Sequence, residues 1–71
     1  MEPGKRVLAL CAGGNSYFEF LGKYESETSD KVYLSDVSYE IRSINFHSRE
    51  NHAERVKLEK SKLVALVLEE N

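Results

Sequence analysis

From Tyr17 onward the chain alternates: Tyr17, Glu19, Leu21 and Lys23 share one parity, and Phe18, Phe20, Gly22 and Tyr24 share the other. A period of two is the signature of a strand with one covered face. Glu25 to Lys31 then contains no apolar side chain and reads as a polar turn. Alternation resumes with Val32 and Leu34 but changes phase, because Val37, Tyr39 and Ile41 fall on the opposite parity. A one-residue slip turns every later side chain to the other face, so the pattern predicts a bulge or kink at Ser35-Asp36. Gly22, inside the first of these strands, marks a place where the backbone bends or is closely approached. Tyr17 to Ile41 is therefore expected to form two long antiparallel strands on which the rest of the chain closes.

The flanks extend this pattern. Arg6 to Ala12 (RVLALCA) is apolar on both parities and reads as a strand covered on each side. Gly13-Gly14-Asn15 supplies residues that tolerate positive φ, as a tight hairpin requires. Met1 to Lys5 holds the only proline, followed by Gly4, and is expected to be a frayed lead-in, not a helix. In Arg42 to Arg55, Ile44 and Phe46 extend the preceding strand and Ser48 to Arg55 reads as a charged loop, with room for one helical turn at Glu50 to Glu54. Val56 to Glu59 is a short strand with Val56 and Leu58 inward, Lys60-Ser61-Lys62 interrupts it, and Leu63 to Leu68 (LVALVL) is apolar on both faces. The prediction is an all-β, five-stranded, strongly bent antiparallel small barrel, a single domain over residues 1–71 with little or no N-terminal helix.

A chain of 71 residues buries only a small core, and such domains often depend on disulfides, metal or partner subunits. Cys11 is the only cysteine, so no disulfide forms within the chain, and its apolar neighbours predict a small buried side chain. The two histidines, His47 and His52, lie five apart in polar company without a metal-ligand spacing, and solvated side chains are expected. No metal or cofactor is implied. Oligomerisation remains as the support, and the terminal strand, apolar on two faces, asks for the cover a second copy would give. Ten basic residues against twelve acidic ones argue against a domain-wide basic footprint for duplex nucleic acid, while leaving room for a local basic patch. The longest apolar run is too short to span a bilayer and no leader pattern precedes Val7, so a soluble, cytoplasmic protein is expected.

Two quoted runs resemble a known family. Phe20 to Tyr24 (FLGKY) followed by Val32 to Asp36 (VYLSD) is similar to the first motif of the Sm/LSm superfamily, which includes Hfq-like proteins. Val56 to Val67 (VKLEKSKLVALV) is similar to its second motif, a short fourth strand, a tight turn and a fifth strand. The resemblance implies a homo-oligomeric ring in which the fourth strand of one subunit pairs with the fifth of the next. Val56, Leu58, Val64, Leu66 and Leu68 would then lie at the subunit interface. It also implies that the two polar turns meet around a pore, where Glu27, Asp30, Lys31, Lys60, Ser61 and Lys62 would face single-stranded RNA. The chain departs from the family in those turns: Glu27 and Lys31 stand where an Asp and an Asn are usual, and Glu59-Lys60 replaces an Arg-Gly.

Three classes of function follow. The first is an Sm-like ring that binds single-stranded RNA through its turn lysines. The second is a non-catalytic interaction or structural module that keeps the barrel and has lost the RNA site. A variant of it would use Tyr17, Tyr24, Tyr33 and Tyr39 as an aromatic cage for a methylated cation, against an ordinary packing role for those rings. The third class, an enzyme, is not expected, because no Ser/His/Asp or Cys/His arrangement has a recognisable context. Asp36 is expected to serve as a hydrogen-bonding group at the phase slip.

Overall fold

A computed structural model describes residues 2–43, 46–47 and 50–69. Among these the fold is all-β, with β1 (Arg6–Gly13), β2 (Ser16–Glu27), β3 (Lys31–Ser43), β4 (Phe46–His47), β5 (Asn51–Glu59) and β6 (Leu63–Leu68). One three-residue 3-10 turn, Lys60–Lys62, joins β5 to β6. The sheet runs β4-β3-β2-β1-β6, with β5 also paired to β3, and every pairing is antiparallel. Among the described residues no helix is long and apolar enough to cross a membrane.

Alternation places the core. Val7, Ala9 and Cys11 of β1, Tyr24 of β2, Val32, Leu34 and Val37 of β3 and Leu58 of β5 are buried together. Phe18, Phe20, Val56, Leu63 and Leu66 pack against them. One cluster thus gathers side chains from all five longer strands, which requires the sheet to curl around it. Phe18, Phe20 and Tyr39 stack in sequence, with ring centroids 6.3 and 5.8 Å apart.

The phase slip lies where the alternation changes. Leu21 pairs with Ser38 and Lys23 with Ser35, so the single residue Gly22 faces two, Asp36 and Val37. Asp36 takes φ +50°, and Val37 then turns into the core, where Ser35 would otherwise keep its parity outside. Gly22 answers the bulge: a Cβ there would sit 2.8 Å from Val37 Cγ2 and 2.9 Å from the Ser35 carbonyl oxygen. A second irregularity, with Glu25 as the extra residue of β2, lies between Tyr24 and Ser26. The β1–β2 hairpin closes through Gly14-Asn15, with Gly14 at φ +62°. Glycine is favoured at the first position of such two-residue loops.

Four expectations are corrected. The stretch Asn51 to Arg55 is strand, not a charged loop or helical turn, because it pairs with Ser35, Val37, Ser38 and Tyr39. Its outward positions face solvent at a sheet edge, so a polar composition is compatible with strand there. Phe46 does not prolong β3; with His47 it folds back to pair with Arg42 and Ser43, a two-residue strand beside the five longer ones. Ile44 lies outside the described residues. The polar turn shrinks to Thr28, Ser29 and Asp30, since β2 continues to Glu27 and β3 begins at Lys31. The lead-in is tied down, the Gly4 amide donating to the Tyr24 carbonyl at 2.7 Å and the Tyr24 amide to the Lys5 carbonyl at 2.8 Å.

Candidate functional site

The β2–β3 turn and the 3-10 turn, some thirty residues apart in sequence, meet at one end of the sheet. Register brings them there, because Lys31 pairs with Glu59 and Val32 with Leu58. The Lys60 amide then donates to the Asp30 carbonyl at 2.8 Å, and the Leu63 amide closes the 3-10 turn on the Lys60 carbonyl. Inside the first turn the Thr28 hydroxyl donates to Asp30 Oδ1 at 2.9 Å and accepts the Lys31 amide at 3.1 Å. Glu27, Asp30, Lys31, Lys60 and Lys62 therefore share one end of the molecule, with Ser61 exposed between the last two.

The charges there are matched in pairs. Lys60 bonds Glu27, Lys31 Nζ lies 3.2 Å from Asp30 Oδ2, and Lys62 Nζ lies 3.6 Å from Glu59 Oε2. The buried Tyr24 hydroxyl also donates to Glu27 Oε1 at 2.7 Å. The Lys60 bond, reinforced by Tyr24, holds the Glu27 carboxyl below its ordinary range. Thr28, followed by Lys31, does the same for Asp30, while Asp30 pushes the Lys31 ammonium up. The hydrogen bond to the Glu27 carboxylate holds the proton on Tyr24 and raises the phenol pKa. Three lysines and three carboxylates thus leave this end with little net field.

The residues expected at a subunit interface divide into two sets. Leu58 is buried in its own core, and Val56 and Leu66 pack partly against that core. Val64 is 68% exposed and Leu68 49% exposed, on a strand that has β1 on one side only. Val67, which pairs with Leu8 on the outer face, is 51% exposed and belongs with them. Val64 is an extra residue of β6, between the pairs Leu10–Ala65 and Cys11–Leu63. Each of β5 and β6 pairs with a single strand, so the sheet has two open edges among the described residues.

The remaining sequence candidates do not converge. His52 Nε2 lies 3.0 Å from Asp36 Oδ1, both side chains more than half exposed, which gives Asp36 its partner at the bulge and holds its carboxyl low. The side chain of His47 is outside the described residues. Tyr24 is buried, Tyr39 stacks on Phe20, Tyr17 is exposed on β2 opposite Arg42, and Tyr33 stands on β3 opposite Lys57, so the four form no cage. Cys11 is buried, and burial pushes its thiol up, away from thiolate chemistry. Among the described residues no three His, Cys, Asp or Glu side chains are grouped to hold a metal.

A surface that the sequence pattern leaves unmarked lies across β2, β3 and β5. It is an open groove of about 670 Å³ lined by Glu25, Ser26, Tyr33, Ser35, Arg55 and Lys57, with Leu34 and Val56 beneath. Its rows are set by register, Ser26–Tyr33–Lys57 and Ser35–Arg55, which no local periodicity reveals. Compared with protein families, curated proteins and solved structures, the chain matches none.

Proposed function

We propose that the chain is a non-catalytic, Sm-like assembly module that joins copies of itself into a ring, β5 of one copy pairing with β6 of the next. The observation that carries this reading is the coincidence of two strand edges that are open among the described residues with exposed Val64, Val67 and Leu68 on one of them. Unpaired edges are a hazard that proteins charge, cover or pair. Covering a half-exposed Val or Leu contributes on the order of 1 kcal/mol, and the edge amides gain partners as well. A contact between different edges repeats head to tail and closes when the rotation per copy permits.

Light scattering on the full chain tests this. The expected mass is that of several chains, reduced to one chain by Val64→Asp with Val67→Asp while the β circular-dichroism spectrum is kept. A single-chain mass for the unsubstituted protein at high micromolar concentration would contradict the reading.

Single-stranded RNA at the turn end is a second reading, favoured by the meeting of Lys31, Lys60 and Lys62. Phosphate would have to displace Asp30, Glu27 and Glu59 from those lysines, which is why assembly ranks first. Under the RNA reading, Glu27→Gln frees Lys60 and tightens binding of an oligo(U) or oligo(A) strand at low salt. No binding by either protein at low salt would remove this reading and leave the assembly intact.

A further inference from the structure

We infer that the groove across β2, β3 and β5 is a binding site for a nucleotide, a planar ring carrying a phosphate. Arg6, Lys31, Arg42, Lys60 and Lys62 each have a carboxylate partner in the chain. Arg55 and Lys57 have no ion pair among the described residues, nor does Lys5 ahead of β1, while the Lys23 charge helps hold the Asp36 carboxyl low. Arg55 and Lys57 stand on one face with Tyr33 and Ser35, Ser35 being in register with Arg55 and Tyr33 with Lys57.

Arg55 and Lys57 are alternate residues of β5, roughly 7 Å apart along the strand and projecting from the same side. That spacing lets a guanidinium and an ammonium converge on one phosphate, the guanidinium by two parallel N–H donors. Tyr33, half-buried between them and β2, makes no ring–ring contact among the described residues and lines the groove, where its ring offers a partner for a stacked base. Glu25 closes the opposite wall and accepts the Ser35 hydroxyl. A carboxylate there is unfavourable for a bare anion but accepts hydrogen bonds from ribose hydroxyls or a base N–H. The volume of about 670 Å³ suits a ligand of that size. Cation, ring and acceptor together select a nucleotide over inorganic phosphate. The inference does not rest on the assembly reading, since Arg55 and Lys57 point from the sheet face and not along its edge.

The test titrates the full, isotope-labelled chain at low salt with AMP, ribose 5-phosphate, adenosine and an oligo(A) strand while amide resonances are followed. AMP is expected to shift Ser26, Tyr33, Ser35, Arg55 and Lys57 and to bind more tightly than either of its halves. Arg55→Thr with Lys57→Thr, both exposed and strand-compatible, is expected to weaken AMP by about ten-fold or more. Tyr33→Leu weakens AMP but not ribose 5-phosphate, and Lys60→Ser with Lys62→Ser leaves AMP binding unchanged. Oligo(A) binding far more tightly than AMP through the same amides assigns the nucleotide to a strand, and comparable affinity assigns it to the free molecule; both outcomes support the site. No shift at these amides with any probe, or an Arg55/Lys57 variant that binds AMP as the parent does, would overturn it.

Discussion

Gly22 and the Asp36–Val37 pair meet across β2 and β3, and neither side of that contact works without the other. The extra residue in β3 pushes Val37 Cγ2 and the Ser35 carbonyl into the space a side chain at position 22 would fill. Gly22→Ala is therefore expected to lose roughly 1–3 kcal/mol in urea denaturation, the usual cost of overpacking a closed site. A change within a few tenths would mean that the bulge yields easily. Acid acts on the same scale. Glu27, Asp30 and Asp36 all hold carboxyls below the ordinary range. On lowering pH the unfolded chain takes up these protons first, so the stability they add is complete above the ordinary carboxylate range of about 4 and is lost as pH falls through their lower folded values. The melting temperature should fall across that acid window, and Glu27→Gln should flatten the slope. An unchanged slope in Glu27→Gln would show that the Lys60 and Tyr24 bonds to that carboxylate do not stabilise the fold.

At the scale of elements, what the sequence discloses depends on whether a strand is patterned by the core or by a neighbour. β1, β2 and β3 are legible because Val7, Ala9, Phe18, Phe20, Tyr24, Val32 and Leu34 alternate into one cluster. Even the phase slip is readable, since Val37 changes parity. The first half of β5 is not: Asn51, His52, Glu54 and Arg55 carry no apolar period and owe their strand conformation to pairing with β3. The return of Phe46 and His47 onto β3 is equally a matter of tertiary pairing. Turn lysines are conspicuous in sequence, whereas the Glu27–Lys60 bond joins residues too distant for any local rule to connect. Tyr33, Arg55 and Lys57 are a site only through register. Hydrogen exchange separates the central from the edge elements: β3 amides, paired on both sides, should exchange slowest at every concentration. Outward amides of β5 and β6 should be slow only at concentrations where copies assemble. Concentration-independent exchange in both edge strands would argue that these edges stay open.

Among the described residues the molecule is a sheet curled around eight buried side chains, with its two edges left unpaired. So small a core leaves little margin, and exposed Val64, Val67 and Leu68 are surface that a neighbouring copy would turn to stability. The end carrying the two turns contributes order more than charge, because its lysines are occupied by the chain's own carboxylates. Self-association through β5 and β6 is the central functional claim. Native mass spectrometry of the full chain over a range of concentrations tests it most directly. The expected spectrum holds one discrete multiple of the chain mass, with no ladder of successive sizes, as a closed ring requires. A single chain at every concentration, or an open-ended ladder, would contradict it.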